Sequence, residues 1–258
     1  MAEKNEQPKK RRSKKKIVLL VFLGLMAALA LFIAYFFLTM PDVSSLVKEN
    51  PKTTAMIELR KKEAKEEGKP LKIRQFWVSY NAIPRLLKQT VIASEDAAFY
   101  QHDGIDYFEL KEAIKKNMKE GKKSRGGSTI TQQLAKNLYL STEKSYYRKL
   151  KELFIARKLE KHLTKDRIFH IYLNVIEFGP GIFGVEAASR YYFGKSVGRL
   201  SLQEIVRLVS VIPKPLKVSP ISDTRYLKWR ARLLLTRMVQ YHHISQEQYK
   251  EHMAIFKR

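Results

Sequence analysis

The sequence predicts an all-α fold in which a helical domain follows a single N-terminal transmembrane helix. Three observations predict this fold: residues 17–40 carry no charged side chain, apolar residues beyond position 76 recur at helical spacing, and few segments alternate as strands do. Apolar residues make up 45% of the 258 positions, whereas glycine and proline contribute only 11 and 9, which excludes a largely disordered or collagen-like chain. The absence of cysteine excludes disulfides, thiolate metal sites and a cysteine nucleophile.

The first element is the uncharged segment 17–40, which is long enough to cross a bilayer. As a helix it would extend about 36 Å, more than the roughly 30 Å of a hydrocarbon core. Lysine and arginine crowd residues 1–16 but are sparse in residues 41–60. This asymmetry predicts that the basic tail stays in the cytoplasm and that the rest of the chain lies outside it. A cleaved signal peptide is the alternative, but the apolar run is too long and its Ala28-Leu29-Ala30 triplet lies mid-run.

The chain carries 50 lysines and arginines against 25 aspartates and glutamates, a formal net charge of +25. Such an excess of positive charge requires an anionic partner. Because the predicted orientation exports most of these cations, we expect that partner to be the outer face of a membrane or an anionic wall polymer, and not a nucleic acid. A polybasic surface near anionic lipid gains about 1 kcal/mol per cation.

Residues 41–75 have the composition of a connector. Proline and glycine punctuate this segment, and its stretch 55–67 is a highly charged helical sequence. We therefore interpret residues 41–75 as a solvated stalk and place the folded domain at residues 76–258.

Two helices within that domain have clear sequence signatures. Ser201 and Glu204 form a capping box before an apolar run that Pro213 ends. Farther along, apolar residues fall on one face of an amphipathic C-terminal helix, while lysines and arginines lie off that face. The apolar face consists of Leu227, Ala231, Leu234, Leu235 and Met238, and the cations off it are Lys228, Arg230, Arg232 and Arg237.

The first candidate for chemistry is the pair Glu95-Asp96, which follows an apolar stretch and precedes His102 and Gly104. An acidic pair at the end of a buried helix, followed by a glycine that breaks the helix, is how a protein presents a carboxylate at the edge of a cleft. A carboxylate placed there can act as a general base. The alternative is an acidic pair on a solvated helix face, which is the commoner meaning of such a pair alone.

The second candidate is the segment Gly126–Asn137. Its two glycines let the backbone approach a ligand, and Ser128 or Thr129 can cap a helix whose first N–H groups face an anion. Two glutamines and Lys136 then share one side of that helix. The pattern suits a phosphate but is not a P-loop, because the lysine falls inside the helix. An ordinary capped helix with a polar face is the alternative interpretation.

Two further segments complete the set. In Arg148-Lys149-x-x-Glu152, the first and last side chains share a helix face, which usually means a surface ion pair of a few tenths of a kcal/mol. Residues 165–188 predict a buried helix, a glycine-rich turn and a second helix whose small residues allow close packing.

Taken in order, these four segments resemble the membrane-anchored peptidoglycan glycosyltransferases, and the overall plan is similar to that of the monofunctional biosynthetic transglycosylases. The resemblance covers roughly residues 76–220. The strings that carry it are the run Ala93–Gly104 around Glu95-Asp96, the run Gly126–Asn137, Arg148-Lys149-Leu150-Lys151-Glu152, Ile171-Tyr172-Leu173-Asn174 and the run Phe178–Gly184.

This resemblance implies a lysozyme-like helical fold that polymerises lipid II, the undecaprenyl-pyrophosphate-linked disaccharide-pentapeptide. Glycosyl transfer with inversion would form a β-1,4 bond and release undecaprenyl pyrophosphate. The implied location is the outer, periplasmic face of a bacterial cytoplasmic (inner) membrane. The implied partners are lipid II, the growing lipid-linked strand and the membrane, with other cell-wall synthases as further candidates.

The family's functional residues carry over onto matching positions. Glu95 matches the general base that takes the proton from the acceptor 4-hydroxyl, and Lys136 and Arg148 match contacts to the donor pyrophosphate. Glu152 matches a second catalytic carboxylate, associated with the pyrophosphate through a divalent cation, Mg²⁺ or Mn²⁺, or through nearby basic groups. The matched strings extend the expected substrate contacts to Asp96, Phe99, His102, Gly127, Ser128, Thr129, Gln132, Gln133, Asn137 and Lys151.

One departure and two alternatives accompany this resemblance. Phe169-His170 stands where the family more often has Leu-Glu, which argues against an acidic role there and favours helix packing. A lysozyme-like muramidase or lytic transglycosylase would also use one glutamate, but it needs neither a lipid anchor nor a phosphate-binding helix. A non-catalytic anchored protein that binds wall polymers by charge would tolerate the loss of Glu95.

Overall fold

The computed structural model describes residues 14–121, 127–143 and 145–257, and this part of the chain is mostly helical, as predicted. The helices are α1 Lys14–Leu38, α2 Ala55–Glu66, α3 Arg85–Glu95, α4 Tyr107–Glu120, α5 Ile130–Tyr139, α6 Tyr146–His162, α7 Lys165–Val175, α8 Val185–Phe193, α9 Leu202–Ser210, α10 Arg225–Gln240 and α11 Gln246–Ile255. Three short strands, β1 Arg74–Gln75, β2 Glu177–Gly179 and β3 Ile182–Phe183, form one sheet in the order β1-β3-β2. The sequence did not predict this sheet, so the all-α expectation is correct except there.

The chain divides into two units, residues 1–41 and residues 42–258. The first unit contains α1, an apolar helix of 25 residues that is long enough to cross a membrane by length and composition. It overlaps the predicted transmembrane segment 17–40. Most of the predicted cytoplasmic tail, residues 1–13, lies outside the described residues.

The segment that follows Pro41 packs onto the helical domain. Within it, Met56 and Ile57 of α2 are buried against Phe183, and α2 also packs against α5. The expectation of a solvated stalk at residues 41–75 is therefore wrong. The many charged residues of α2 made its short apolar edge, Met56 and Ile57, hard to recognise in the sequence. The domain therefore begins at residue 42 and not at residue 76.

The predicted glycine-rich turn is the hairpin formed by β2 and β3, and β1 adds to it in parallel, with Arg74 opposite Ile182. Gly184 leaves the hairpin with a φ of 82°, and a Cβ atom at this position would lie 2.5 Å from the carbonyl oxygen of Asn174. Glycine is required there because it allows both the left-handed backbone and the close approach. The hairpin is thereby fixed against the end of α7.

The end of α7 in turn holds the chain segment that leads into α3. Asn174 accepts a hydrogen bond from the Val78 N–H at 2.9 Å and donates one to the Val78 carbonyl at 3.2 Å. His170 donates its Nε2 proton to the same carbonyl at 2.8 Å and accepts from Arg167 at Nδ1. Burial lowers the pKa of His170. With Phe169 fully buried beside it, this arrangement confirms the helix-packing interpretation of Phe169-His170.

The core of the domain surrounds α5, which packs against α2, α6 and α7, while α3, α9 and α10 form a neighbouring group. The predicted capping box of Ser201 and Glu204 starts α9. The predicted apolar face of α10 is fully buried, each member 0% exposed: Leu227, Ala231, Leu234, Leu235 and Met238. These two predictions are confirmed, and they place α10 where its polar side can reach the end of α3.

We expect Gly184→Ala to destabilise the domain by about 2 kcal/mol or more, because a methyl group there adds a backbone collision to left-handed strain. Urea denaturation of the full chain in detergent measures this loss. Gly194→Ala is the matched control, since Gly194 also has a positive φ, of 68°, but a Cβ there would meet no atom within 4 Å. Equal losses in the two variants would show that the approach to Asn174 does not matter.

Candidate active site

The carboxylate of Glu95 lies at the edge of a cleft of about 660 Å³. Glu95 is the last residue of α3. The cleft is bordered by the run Ala93–Gly104, here called the first motif, by the start of the run Gly126–Asn137, here called the second motif, and by α10. Its lining includes Glu95, Gly127, Ser128, Thr129, Arg230 and Arg237. The structure thus brings together the first two motifs, as the sequence predicted, and adds two arginines that the prediction did not include.

Both oxygens of Glu95 are held by neighbouring side chains. Oε1 accepts a hydrogen bond from Ser94 Oγ at 2.6 Å and lies 3.4 Å from Arg230 Nη2. Oε2 accepts from Gln133 Nε2 at 3.2 Å, and Gln133 Oε1 accepts in turn from the Tyr172 hydroxyl at 3.0 Å. Because Tyr172 is fully buried, this chain of bonds ties the carboxylate to the core. The Glu95 side chain keeps 10% of its surface exposed, so it is oriented yet reachable.

Asp96, the neighbour of Glu95, has a different environment. Its Oδ2 accepts from the Ile130 N–H at 2.9 Å, which satisfies the first amide of α5. Its Oδ1 lies 2.9 Å from His102 Nε2, and His102 Nδ1 accepts from the Gly104 N–H at 3.2 Å. The proton of the imidazole therefore sits on Nε2 and is donated to Asp96. Asp96 and His102 fasten the first motif to α5, while their expected contacts with substrate stay predictions.

Phe99 packs inside the domain and does not face the cleft. It is 0% exposed, its ring centroid lies 5.6 Å from that of Phe169, and the Lys165 ammonium lies 4.5 Å from its ring centroid. A substrate cannot reach this ring as the residues are arranged. Phe99 therefore supports the loop that follows Glu95, and this geometry argues against the direct substrate contact predicted for it.

The second motif forms the capped start of α5, as predicted. Thr129 is the capping residue: its hydroxyl accepts from the Gln132 N–H at 3.2 Å and donates to the Gly104 carbonyl at 2.7 Å. Gln132 donates to the same carbonyl at 3.3 Å, so a second bond joins the two motifs. Gly126 lies outside the described residues.

Glu152 of α6 is buried, not a member of an exposed ion pair. It is 4% exposed, and its Oε2 accepts from Arg148 Nη1 at 2.7 Å, while Oε1 pairs with the Lys149 ammonium. Lys149 also donates to Ser128 Oγ and Gln132 Oε1, each at 3.0 Å. The interpretation as a surface ion pair is therefore wrong, because contact with α5 removes Glu152 from solvent. Sequence reasoning gave Lys149 no role, although its spacing of three from Glu152 was visible.

Lys136 is a cation of this region that has no partner among the described residues. Its side chain is half-buried on α5, and it makes no hydrogen bond or ion pair with the residues that the structure describes. Burial lowers the pKa of Lys136, and the charges of Arg148 and Lys149 lower it further, whereas Glu152 and Glu177 raise it. A half-buried ammonium of this kind can pair with an anion that binds beside it.

Most of the predicted substrate contacts do not line the cleft beside Glu95. Those outside its lining are Phe99, His102, Gln132, Gln133, Lys136, Asn137, Arg148 and Lys151. Asn137 is buried on α5, only 7% exposed. Lys151 lies on α6 with its ammonium 5.1 Å from the ring centroid of Tyr147. The roles of both residues toward substrate stay predictions.

Two arginines of α10 are the functional candidates that sequence reasoning missed. Arg230 Nη2 donates to Ser94 Oγ at 2.9 Å, beside its approach to Glu95. Arg237 Nη1 donates to the Ala93 and Ser94 carbonyls at 2.8 Å and 3.1 Å, at the end of α3 where carbonyls lack helical partners. The sequence showed only that both cations lie off the apolar face of α10, since it could not reveal that this side meets α3.

The carboxylates near these residues do not form a ready cation site. Both oxygens of Glu152 already face cationic donors, so it has no free oxygen to offer a metal ion. Within the described ranges, the one group of three metal-type ligands is Asp96, His102 and Asp106. Asp96 is fully engaged, and Asp106 caps α4 by accepting from the Glu109 N–H at 2.8 Å. The donor sets therefore do not fit a resident divalent cation, and its presence stays a prediction.

This fold and site define a helical domain in which one orientated carboxylate and a basic cluster both lie against α5. A family model described as Transglycosylase matches residues 62–239. A relative named biosynthetic peptidoglycan transglycosylase, from Janthinobacterium sp. (strain Marseille), is 43% identical over 79% of this chain and 87% of its own length. One of the same name from Methylobacillus flagellatus is 41% identical over 83% and 94%. The chain belongs to the transglycosylase family.

A solved structure also overlaps this chain weakly. It is penicillin-binding protein 1A from Haemophilus influenzae, at 19% identity and a TM-score of 0.39, over 71% of this chain and 18% of that protein. An overlap of this size supports no argument about the fold. The family assignment rests on the sequence matches alone.

We expect substitutions of Glu95 and Asp96 to have different effects on the free energy of unfolding. Asp96→Ala should cost about 3 kcal/mol in the free energy of unfolding, because it leaves a buried amide and an imidazole without their partner. Glu95→Gln should change stability by less than about 1 kcal/mol, since its site borders the cleft and the amide keeps the size of the side chain. Urea denaturation of both full-length variants gives the comparison, and equal losses would contradict the separate roles.

Proposed function

We propose that this chain polymerises lipid II into glycan strands by inverting glycosyl transfer, forming β-1,4 bonds and releasing undecaprenyl pyrophosphate. The observation that carries the proposal is that α5 supplies both Gln133, which orients Glu95, and the half-buried Lys136, which has no partner among the described residues. The shared name of the curated relatives supports the same substrate class.

Glu95 is the general base in this reaction. Its carboxylate accepts the proton of the acceptor sugar's 4-hydroxyl as that oxygen attacks the anomeric carbon of the donor. Ser94 and Gln133 fix the direction of the carboxylate, which reduces the entropy lost on reaching the reactive geometry. A pyrophosphate is already a good leaving group, so a single carboxylate meets the need for proton transfer.

Lys136 and Arg148 bind the departing pyrophosphate. Negative charge grows on that group as the glycosidic bond to it breaks, so cations beside it stabilise the transition state more than the bound substrate. Glu152 orients Arg148 through the 2.7 Å bond and holds Lys149 against Ser128 and Gln132. It acts on the pyrophosphate through these cations.

The apolar helix α1 anchors the chain in the bacterial cytoplasmic membrane, with the basic tail in the cytoplasm and the domain on the outer face. The length and composition of α1 support membrane anchoring. Confining the enzyme and a lipid-linked substrate to one surface raises their effective concentration. Association with other cell-wall synthases stays a prediction.

Replacing the base tests the proposal. Glu95→Gln should reduce the rate of lipid II polymerisation by ~10²–10⁴, because the amide has the size of the carboxylate but cannot accept the proton. The assay follows labelled lipid II with purified full-length protein in detergent micelles. Glu247→Gln, the same change at an exposed position of α11, is the control and should keep wild-type activity. Activity of Glu95→Gln within threefold of wild type would place the base elsewhere.

The role of Glu152 can be separated from that of a metal ligand. Glu152→Gln should lower kcat/KM at least tenfold, since a charge-assisted hydrogen bond is worth ~1.5–3 kcal/mol and two cations lose their anchor. Titration of Mg²⁺ and Mn²⁺ into both proteins should give the same midpoint concentration. A midpoint that moves to higher metal concentration in Glu152→Gln would contradict this assignment and restore the expected divalent cation at Glu152.

A further inference from the structure

The guanidinium of Arg230 is buried beside the proposed base and makes few hydrogen bonds. Its side chain is only 11% exposed. Among the residues that the structure describes, its Nε is the one buried side-chain nitrogen or oxygen without a hydrogen-bond partner. Its Nη2 lies 2.9 Å from Ser94 Oγ and 3.4 Å from Glu95 Oε1. A guanidinium has five N–H donors, so these contacts use only part of its donor capacity.

A comparably buried arginine of the domain is bound differently. Arg207 of α9 has a side chain that is 15% exposed, and it donates to two backbone carbonyls and to Asp223, as an arginine that supports a loop does. The hydrogen bonds of Arg230 in the described ranges go only to Ser94 and Glu95. Because a buried donor without a partner is costly, its retention beside the base indicates a use other than supporting the fold.

The contacts of Arg230 distinguish the two oxygens of the Glu95 carboxylate. Because Ser94 Oγ accepts from Arg230, its own proton is donated to Glu95 Oε1, at 2.6 Å. Oε1 therefore receives both Ser94 and Arg230, which matches its two lone pairs. Within the described part of the chain, Oε2 accepts from Gln133 alone, at 3.2 Å, so one of its lone pairs stays open.

We propose that Arg230 is a positioning residue of the glycosyl transfer: with Ser94 it occupies Oε1 of Glu95 and leaves Oε2 as the oxygen that takes the acceptor's proton. This inference rests on the proposed function in taking Glu95 as the general base. The O–H bond of the acceptor 4-hydroxyl breaks as its proton bonds to Oε2. The acceptor oxygen then bonds to the anomeric carbon, and the electron pair of the broken glycosyl bond leaves with the pyrophosphate.

The experiment measures the kinetics of Arg230→Met with purified full-length protein and labelled lipid II in detergent micelles. Methionine keeps much of the length of arginine but has neither its charge nor its N–H donors. We expect kcat to fall at least tenfold while KM stays within threefold of wild type, because the base is misdirected but the substrate still binds. A wild-type kcat, or a higher KM at unchanged kcat, would overturn the proposal.

Arg232→Met is the matched control on the same helix. Arg232 donates to the Phe256 carbonyl at 2.8 Å and is not part of the cleft lining. We expect this variant to have a lower melting temperature and a kcat within threefold of wild type. A tenfold loss of kcat here as well would show that the packing of α10 controls the activity, and it would overturn the proposal.

Arg230→Ala allows a test by chemical rescue. The space left by the truncated side chain opens onto the cleft, because Arg230 belongs to the cleft lining. Added guanidinium ion, at concentrations that leave the variant folded by circular dichroism, should raise its kcat at least fivefold by restoring N–H donors to Ser94 and Glu95. A merely structural role of Arg230 would not produce this rescue, so a folded Arg230→Ala that does not respond would overturn the proposal.

The same kinetic assay separates this inference from the proposed function. If Glu95→Gln polymerises lipid II as fast as wild type does, then Glu95 is not the base, and both the proposed function of Glu95 and this inference fail. If Glu95→Gln is inactive but Arg230→Met keeps the wild-type kcat, only the inference about Arg230 fails.

Discussion

The start of α5 is the constraint on which the rest of the site depends. The first amides of a helix have no partners within the helix and must find acceptors elsewhere. Here Asp96 accepts from the first amide of α5 and Thr129 accepts from the third, while Thr129 and Gln132 both donate to the Gly104 carbonyl. Satisfying these groups locks the loop after α3 against α5. That contact sets Glu95 beside Gln133 and therefore fixes the position of the proposed base.

A second principle is the way charge is distributed around this helix. Two buried acids in the described part of the domain each face cations: Glu152 pairs with Arg148 and Lys149, and Glu177 pairs with Arg60. Removing the partner of a buried acid leaves an uncompensated charge, which is strongly destabilising. Lys136 takes part in neither of these ion pairs. A lysine that is not neutralised by a neighbouring acid suits a site that must bind the pyrophosphate leaving group.

Local patterns were visible in the sequence, and long-range contacts were not. The cap at Thr129, the capping box at Ser201 and the apolar face of α10 depend on residues within a few turns of each other, so spacing alone predicted them. The docking of α2 depends on Glu177 and Phe183, more than a hundred residues away, and its many charges suggested a solvated helix. The strands are only two or three residues long, too short to show alternation. Likewise, the position of Arg230 beside Glu95 required knowledge of how α10 packs on α3.

The central claim is that Glu95, at the end of α3, and Lys136, on α5, catalyse the joining of lipid-linked sugars. Incubating the purified wild-type protein with labelled lipid II in micelles tests it most directly. The account predicts a polymer that retains the label and that lysozyme digests to small fragments, as expected for β-1,4-linked strands. A folded protein that makes no polymer, or that instead cleaves preformed glycan strands, would contradict the account and favour a hydrolytic or non-catalytic role for the same residues.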